Sequence, residues 1–135
     1  YVLFYVKEPF KAIIMLQILA ETQDNLIATK AIGKLTEMDY GKLLPLLYNK
    51  LKRYKNIRWY FEMEDFKGWK LKAFWEDAKF DMQHANDFEK IAMVGEKDWQ
   101  QWMTEIMKPF TKAEIKFFES ADSSKALQWI KSTNV

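Results

Sequence analysis

Hydrophobic positions along this chain follow two different spacings. Runs of β-branched and aromatic residues bounded by turn-forming residues are typical of strands, and apolar residues that recur every three or four positions are typical of amphipathic helices. The first spacing predicts strands over 16–21, 26–35, 57–64, 91–94 and 115–119. The second predicts helices from Thr36 onward and over 69–84, 99–107 and 122–131.

This order of elements predicts an α/β fold. Strands and helices that alternate along a chain form a mainly parallel sheet covered by helices and joined by right-handed crossovers. The first two strands are separated only by the turn-forming residues 22–25, so they add an antiparallel hairpin at one edge. We therefore expect a mixed sheet of four to five strands in a single domain over residues 15–135. Residues 1–14 are expected to be an N-terminal extension or an extra edge strand over 2–6.

Single residues refine these elements. Gly33 is expected to mark a bulge or bend near the end of the second strand, and residues 65–68 are expected to turn into the following helix. Pro45 is expected to bend the helix that starts at Thr36, because proline removes a backbone hydrogen bond. The buried stripe of that helix is predicted to consist of Tyr40, Leu43, Leu44, Leu47, Tyr48 and Leu51.

The segment 69–84 is the most informative one, because it is apolar over a wider arc than a surface helix needs. One face carries Leu71, Phe74, Trp75, Ala78 and Met82, and a second face carries Trp69, Ala73 and Phe80. The second face has to meet another element of the fold, a partner chain or a nonpolar ligand. Each single aromatic residue here is expected to pack in the core. For all of them together, a nonpolar pocket or a dimer face is weighed equally with core packing.

Composition narrows the classes of function. Aromatic residues make up 16% of the chain, more than a minimal core requires, which favours an interface or a pocket. The net charge of +2 argues against a dedicated nucleic-acid-binding protein, so we expect no nucleic acid partner. The chain has no cysteine, which excludes thiol catalysis and disulfides and is compatible with the cytoplasmic location that we expect. No run approaches the roughly 18 apolar residues that a membrane-spanning helix needs.

A set of motifs occurs in register from about residue 15 to the last predicted helix. The motifs are GKLT at 33–36, DY at 39–40, ExEDFxGW at 62–69, FWEDxKF at 74–80, His84, DFEKIAMVG at 87–95 and PF at 109–110. With them the chain resembles the SpoIIAA-like family of the STAS superfamily. The resemblance implies a fold like that of anti-sigma-factor antagonists, similar also to the CRAL-TRIO lipid-carrier domain. It further implies a protein without enzymatic activity or cofactor that carries nonpolar molecules and forms a homodimer.

The leading hypothesis is therefore a binding or carrier protein for a nonpolar or amphipathic, lipid-like small molecule. The residues predicted to line or gate its pocket are Phe66, Gly68, Trp69, Phe74, Trp75 and Phe80. Gly68 would be the hinge on which the aromatic helix moves, since a closed cavity cannot exchange its ligand.

The alternative hypothesis is a STAS-type interaction or regulatory module that uses the same helix face against a protein partner. The phosphorylatable Ser or Thr of anti-sigma-factor antagonists would lie in the loop 65–69, which contains no hydroxyl group. This hypothesis therefore describes docking without the usual switch.

No constellation of residues predicts catalysis or a metal site. Glu62 and Glu64 are expected to share a solvent-facing side of a strand without a suitable partner, and Asp65 is expected to cap the following helix. His84 is the only histidine, and with no cysteine it cannot complete a usual metal site.

A basic run surrounds the end of the first helix and comprises Lys50, Lys52, Arg53, Lys55 and Arg58. The favoured interpretation is that these residues complement the helix dipole and keep the protein soluble. The alternative is transient contact with an anionic membrane surface, to which each basic residue contributes roughly 1 kcal/mol. Trp59 and Tyr60 follow the run in a strand pattern that favours the core.

Overall fold

The computed structural model describes residues 16–34, 37–68, 87–96, 98 and 112–133. Its strands are β1 (Leu16–Ile18), β2 (Leu26–Lys34), β3 (Ile57–Gly68), β4 (Phe88–Gly95) and β5 (Glu114–Glu119). Its helices are α1 (Glu37–Arg53) and α2 (Ser123–Lys131), the latter preceded by a 3-10 turn, Ser120–Asp122. The predicted helices over 69–84 and 99–107, the extension 1–14 and the edge strand within it lie outside the described residues.

The five strands form one sheet in the order β1-β2-β3-β4-β5. β1 is antiparallel to β2, and β2 to β5 are parallel to one another. The predicted α/β class and mixed sheet are therefore confirmed. Within the described ranges, no helix is both long enough and apolar enough to cross a membrane.

Three strand boundaries differ from the sequence-based expectation by three residues or more, and the first is that β1 ends at Ile18 and not at residue 21. The turn predicted over 65–68 is wrong, because β3 continues to Gly68 and pairs there with Lys34 of β2. The left-handed backbone of Asp65, with φ 48°, interrupts the strand pattern locally without ending the strand. β4 begins at Phe88, three residues before the predicted start, since pairing with β3 extends to that residue.

One face of the sheet packs against α1. Trp59 and Phe61 of β3 are stacked there, with ring centroids 5.5 Å apart, and Leu43 and Leu47 of α1 are buried against the same cluster. Leu44 and Leu51 are half-buried, as part of the predicted stripe. The prediction for Tyr48 is wrong: it is 37% exposed, because it lies about 100° around the helix from Leu47.

The predicted bend of α1 concerns Pro45, and its predicted buried stripe also includes Tyr40. Pro45 lies on the exposed side of α1, and the helix continues through it. The side chain of Tyr40 is outside the described part of the chain.

The opposite face packs against α2. Ala126 and Ile130 of α2 are fully buried there. They pack in one cluster with sheet residues that comprise Leu26, Ala28, Tyr60, Ala92 and Val94. Small alanines in the sheet and in the helix let α2 approach closely, so a helix of nine residues covers the centre of this face.

The carboxyl end of α2 is held by two cations from the sheet. Arg58 donates from Nη1 to the carbonyl oxygen of Ile130 at 2.9 Å, and Lys90 donates from Nζ to the carbonyl oxygen of Ser132 at 2.9 Å. Cations complement the negative end of a helix dipole, and here they also satisfy carbonyl groups that have no partner within the helix. The sheet thereby fixes where α2 ends.

Candidate functional site

The carboxyl end of β3 extends beyond the body of the sheet. Pairing of β3 with β4 ends at Glu62 and Val94, whereas pairing with β2 continues to Gly68 and Lys34. Among the described strands, the last residues of β3 are thus held by β2 alone. We call this projecting two-stranded segment, residues 32–34 and 64–68, the β2–β3 ribbon.

The ribbon contains a bulge. Ile32 pairs with Glu64 and Lys34 pairs with Gly68, so that one β2 residue, Gly33, faces three residues of β3. Gly33 has φ 71° and Asp65 has φ 48°, both in the left-handed region. The predicted bulge at Gly33 is confirmed. A residue with a side chain adopts this conformation at a cost of about 1–2 kcal/mol, and such backbones and bulges are concentrated near functional sites.

A polar cluster lies on the sheet at the start of the ribbon and includes its first β3 residue, Glu64. The hydroxyl of Tyr60 donates to Oε1 of Glu62 at 2.6 Å. Nζ of Lys30 lies 2.8 Å from Oε1 of Glu64 and 3.9 Å from Oε2 of Glu62. The Glu62 side chain is 20% exposed, and the Glu64 side chain is 58% exposed. Both carboxylates lie on one face of β3, as expected, but the expectation that they lack a partner is wrong, because β2 places Lys30 between them.

The electrostatics of this cluster favour stable protonation states. Burial, and then the hydrogen bond to Glu62, raises the pKa of Tyr60 well above its usual range. The hydrogen bond to Glu64 raises the pKa of Lys30, although burial opposes that shift. At neutral pH the phenol is therefore a hydrogen-bond donor and the amine is a cation. Neither group is close to the titration range that general acid–base catalysis uses.

Only part of the predicted ligand site falls on described residues. Phe66 and Gly68 lie in the ribbon, at the end of β3. Gly68, the predicted hinge, is a paired strand residue there. The prediction that Asp65 caps a helix is wrong, since β3 continues three residues past it. The remaining predicted residues, Trp69, Phe74, Trp75 and Phe80, lie outside the described residues, and so does His84.

A cleft of about 340 Å³ opens at the opposite end of the sheet. It has a buried apolar floor of Leu26 and Ile130 and polar walls that include Glu21, Asp24 and Arg58. This mixture differs from the largely apolar lining expected of a pocket for a nonpolar molecule. In the described part of the chain, no group of three or more acidic or histidine side chains is placed to hold a metal ion.

Sequence reasoning missed the partners that tie strands together. Arg58 was assigned to the basic run, but it is largely buried and its Nε donates to Oε2 of Glu89 at 2.6 Å. Lys90 is 5% exposed and donates to both the carbonyl and the hydroxyl of Ser132. The available signal was the alternation of Arg58, Tyr60 and Glu62, which places them on one face of β3.

Comparisons with known proteins agree with this fold. The model of a family described as SpoIIAA-like matches residues 26–131. A crystal structure of an uncharacterized protein with a SpoIIAA-like fold from Shewanella loihica PV-4 is 33% identical, with a TM-score of 0.64. The similarity covers 85% of this chain and 93% of that protein. No curated protein matches the chain.

Proposed function

Because this chain belongs to the SpoIIAA-like family of the STAS superfamily, we propose that it is a non-enzymatic protein that binds and carries a nonpolar or amphipathic small molecule. The observation that carries the proposal is the β2–β3 ribbon. It places a strained, bulged backbone at the carboxyl ends of β2 and β3, and the aromatic segment 69–84 follows directly after β3.

The position of the ribbon supports a binding site. Ligands of open α/β sheets bind outside the carboxyl ends of the strands. The ribbon extends this edge. The side of β3 that pairs with β4 in the body of the sheet has no partner among the described strands once β3 enters the ribbon. Backbone groups at such an edge are able to orient the polar end of an amphipathic molecule, while apolar side chains bind the rest.

The chemistry of the polar cluster supports binding without turnover. Tyr60 donates to Glu62, and Lys30 pairs with Glu64. These groups satisfy one another, and their pKa shifts hold Tyr60 and Lys30 in their protonated forms at neutral pH. Covalent catalysis requires a nucleophile that is activated by a positioned base. The described residues contain no such pair.

In this proposal the ligand is bound by Phe66, Gly68, Trp69, Phe74, Trp75 and Phe80. Burial of apolar surface supplies about 25 cal/mol per Å², so an acyl chain binds without covalent chemistry. The proposed assembly is a homodimer in the cytoplasm.

Native mass spectrometry of freshly purified protein, followed by organic extraction, tests the proposal. It reports the oligomeric state and any bound small molecule in one measurement. A nonpolar adduct that is lost on extraction supports the carrier function and gives the ligand class. A clean apo mass contradicts it and favours the alternative, a STAS-type module that docks a protein partner.

A pair of tryptophan variants tests the site. Trp75→Ala is expected to weaken the binding of an apolar fluorescent probe by more than its loss of stability explains. Trp129→Ala is the matched control, because Trp129 lies on α2 and packs against Phe118 of β5, outside the β2–β3 ribbon. Equal probe binding by the two variants, at equal folded fractions, would assign Trp75 to the core instead.

A further inference from the structure

A group of four basic residues lies at the carboxyl end of α1 and in the loop that follows it. We call Lys50, Lys52, Arg53 and Lys55 the basic patch. Lys52, Arg53 and Lys55 are exposed, and Lys50 is half-buried. No acidic residue occurs in the sequence between Asp39 and Glu62. The positive charge is therefore concentrated in one short stretch of chain.

The patch is held in place by the neighbouring turns. Nζ of Lys50 donates to the carbonyl oxygen of Asp24 at 2.6 Å. Nδ2 of Asn25 donates to the carbonyl oxygen of Asn56 at 2.8 Å, and the backbone N–H of Arg58 donates to the carbonyl oxygen of Asn25 at 2.9 Å. These bonds fasten the β1–β2 turn to the loop that carries the patch, so its charges have a defined arrangement.

The charges of the patch are not neutralised by ion pairs within the described part of the chain. The ion pairs found there use Lys30, Arg58 and Lys125 as their cations. Two acidic residues flank the patch: Asp24 in the β1–β2 turn, and Asp87, whose carbonyl oxygen accepts from the N–H of Ile57 at 2.7 Å. The local balance remains positive, and the patch is suited to an extended anionic surface.

From this arrangement we infer that the basic patch binds the surface of an anionic phospholipid membrane. Clusters of four to eight basic residues bind such surfaces, and each residue near the surface contributes about a fivefold increase in partition. With four cations and two flanking acids the binding is weak, reversible and sensitive to salt. This inference concerns a second surface and goes beyond the proposed carrier function.

The aromatic residue next to the patch favours a membrane over a single-stranded nucleic acid. The ring of Tyr54 has Nζ of Lys50 at 5.5 Å and the guanidinium carbon of Arg53 at 6.0 Å from its centroid. Proteins that bind single strands stack bases on open aromatic faces, and this ring is already occupied and half-buried. The patch therefore offers charge without a stacking platform.

The patch also fixes an orientation. It lies at the amino end of β3, whereas the β2–β3 ribbon lies at the carboxyl end of the same strand. The seven residues of β3 that precede the ribbon, 57–63, separate the two by about 23 Å, at about 3.3 Å per residue. A protein bound through the patch would hold the ribbon away from the bilayer, facing solution.

Flotation with phospholipid vesicles tests the inference. The protein is expected to float with vesicles of phosphatidylcholine and phosphatidylglycerol, but not with vesicles of phosphatidylcholine alone, and high salt is expected to release it. The double variant Lys52→Gln/Lys55→Gln is expected to lose about 25-fold in partition, since it removes two exposed charges. Both side chains are exposed, so the fold is expected to be unchanged.

Two further variants sharpen the test. Asp24→Asn is expected to increase partition about fivefold, because it removes a flanking negative charge. Asn tolerates the left-handed φ of 52° at this position. Lys125→Gln is the charge-matched control for Lys55→Gln, because Lys125 is 74% exposed on the first turn of α2, away from the patch. It is expected to leave partition unchanged.

Equal loss from Lys125→Gln and Lys55→Gln would overturn the inference, and so would flotation with neutral vesicles. Retardation of a single-stranded RNA through Lys52 and Lys55, without vesicle binding, would also overturn it in favour of nucleic acid. The test is separate from the proposed function, because probe binding by the Lys52→Gln/Lys55→Gln variant is expected to equal that of the unmodified protein.

Discussion

Gly33 of β2 lies opposite a three-residue segment of β3 that starts at Asp65, and both residues have left-handed backbones, with φ 71° and 48°. The bulge is therefore built from both strands. Glycine adopts this conformation without the steric cost that a Cβ atom brings, so the position is expected to resist substitution.

Gly33→Ala is expected to lower the free energy of unfolding by about 1–2 kcal/mol, since the Cβ atom of alanine clashes with the backbone in the left-handed region. Gly41→Ala is the matched control: a Cβ at this exposed position of α1 would meet nothing within 4 Å. It is expected to stabilise the protein by about 0.5–1 kcal/mol, because alanine is the better helix former. Urea denaturation measures both, and changes of the same sign would contradict the role assigned to Gly33.

The hydroxyl of Tyr60 is expected to make stability depend on alkaline pH. Its pKa is raised in the folded state by burial and by Glu62, so the folded protein holds this proton more tightly than the unfolded chain does. The resulting stability is fully present below about pH 10, the pKa of an unperturbed tyrosine, and is lost as the pH rises above it. Lys30, whose pKa is also raised, contributes in the same direction.

Tyr60→Phe is expected to cost about 1 kcal/mol at neutral pH and to flatten this alkaline decline. Tyr48→Phe, at an exposed position, is expected to keep the slope of the unmodified protein. Chemical denaturation at several pH values between neutrality and the alkaline limit measures the slopes. Identical slopes for the two variants would show that the Tyr60–Glu62 pair does not cause the decline.

Lys90 is expected to stabilise α2 mainly by capping. Its Nζ donates to Ser132 O and Oγ and lies 5.1 Å from the ring centroid of Trp129. Lys90→Met is expected to lower the free energy of unfolding by about 1.5–3 kcal/mol, because it removes a charged donor from the carbonyl and the hydroxyl of Ser132.

Lys116 provides the control for this prediction, because its Nζ also lies over Trp129, at 5.0 Å, but on an exposed side chain. Lys116→Met is expected to change stability by less than about 0.5 kcal/mol. Hydrogen exchange of the α2 amides shows whether the loss is local to the helix. Equal effects at the two lysines would indicate that the ring contact, and not the capping, carries the stabilisation.

The buried hydrogen bond from Nε1 of Trp59 to Oγ1 of Thr29, at 3.1 Å, joins β3 to β2 inside the core. Thr29→Val keeps the shape of the side chain but removes the acceptor, and is expected to cost about 1–3 kcal/mol. In a Trp59→Phe background the same substitution is expected to cost less, because the indole donor that Thr29 accepts from is no longer present. A double-mutant cycle by urea denaturation measures this coupling. Additive losses would show that the bond contributes little.

The local pattern of apolar residues predicted the strands of the sheet but not the side-chain pairs that form between neighbouring strands. The strands around Ile27 and Trp59 were predictable, since buried parallel strands are nearly continuous in apolar and aromatic residues. The position of Lys30 beside Glu64 was not, because it depends on the register of β2 against β3. A slip of one residue would turn Lys30 to the other face.

The ribbon shows a different limit of sequence reasoning. Residues 65–68 combine an acidic residue with a glycine, which is typical of a turn, and the extra residues of a bulge produce the same pattern. Only pairing with Lys34, far away in sequence, shows that the strand continues. The candidate ligand residues Phe66 and Gly68 were therefore predicted at the correct edge of the sheet but in the wrong local structure.

The position of α2 in chain order has a consequence for biosynthesis. This helix covers the apolar cluster around Ala28, Tyr60 and Ala92, yet it follows all five strands along the chain. During translation the sheet can therefore assemble while one of its two faces still lacks this cover. Such exposed apolar surface makes a nascent chain prone to aggregation and a substrate for chaperones. Docking of α2 would then follow assembly of the sheet, secured as Arg58 and Lys90 donate to the carbonyl groups of Ile130 and Ser132.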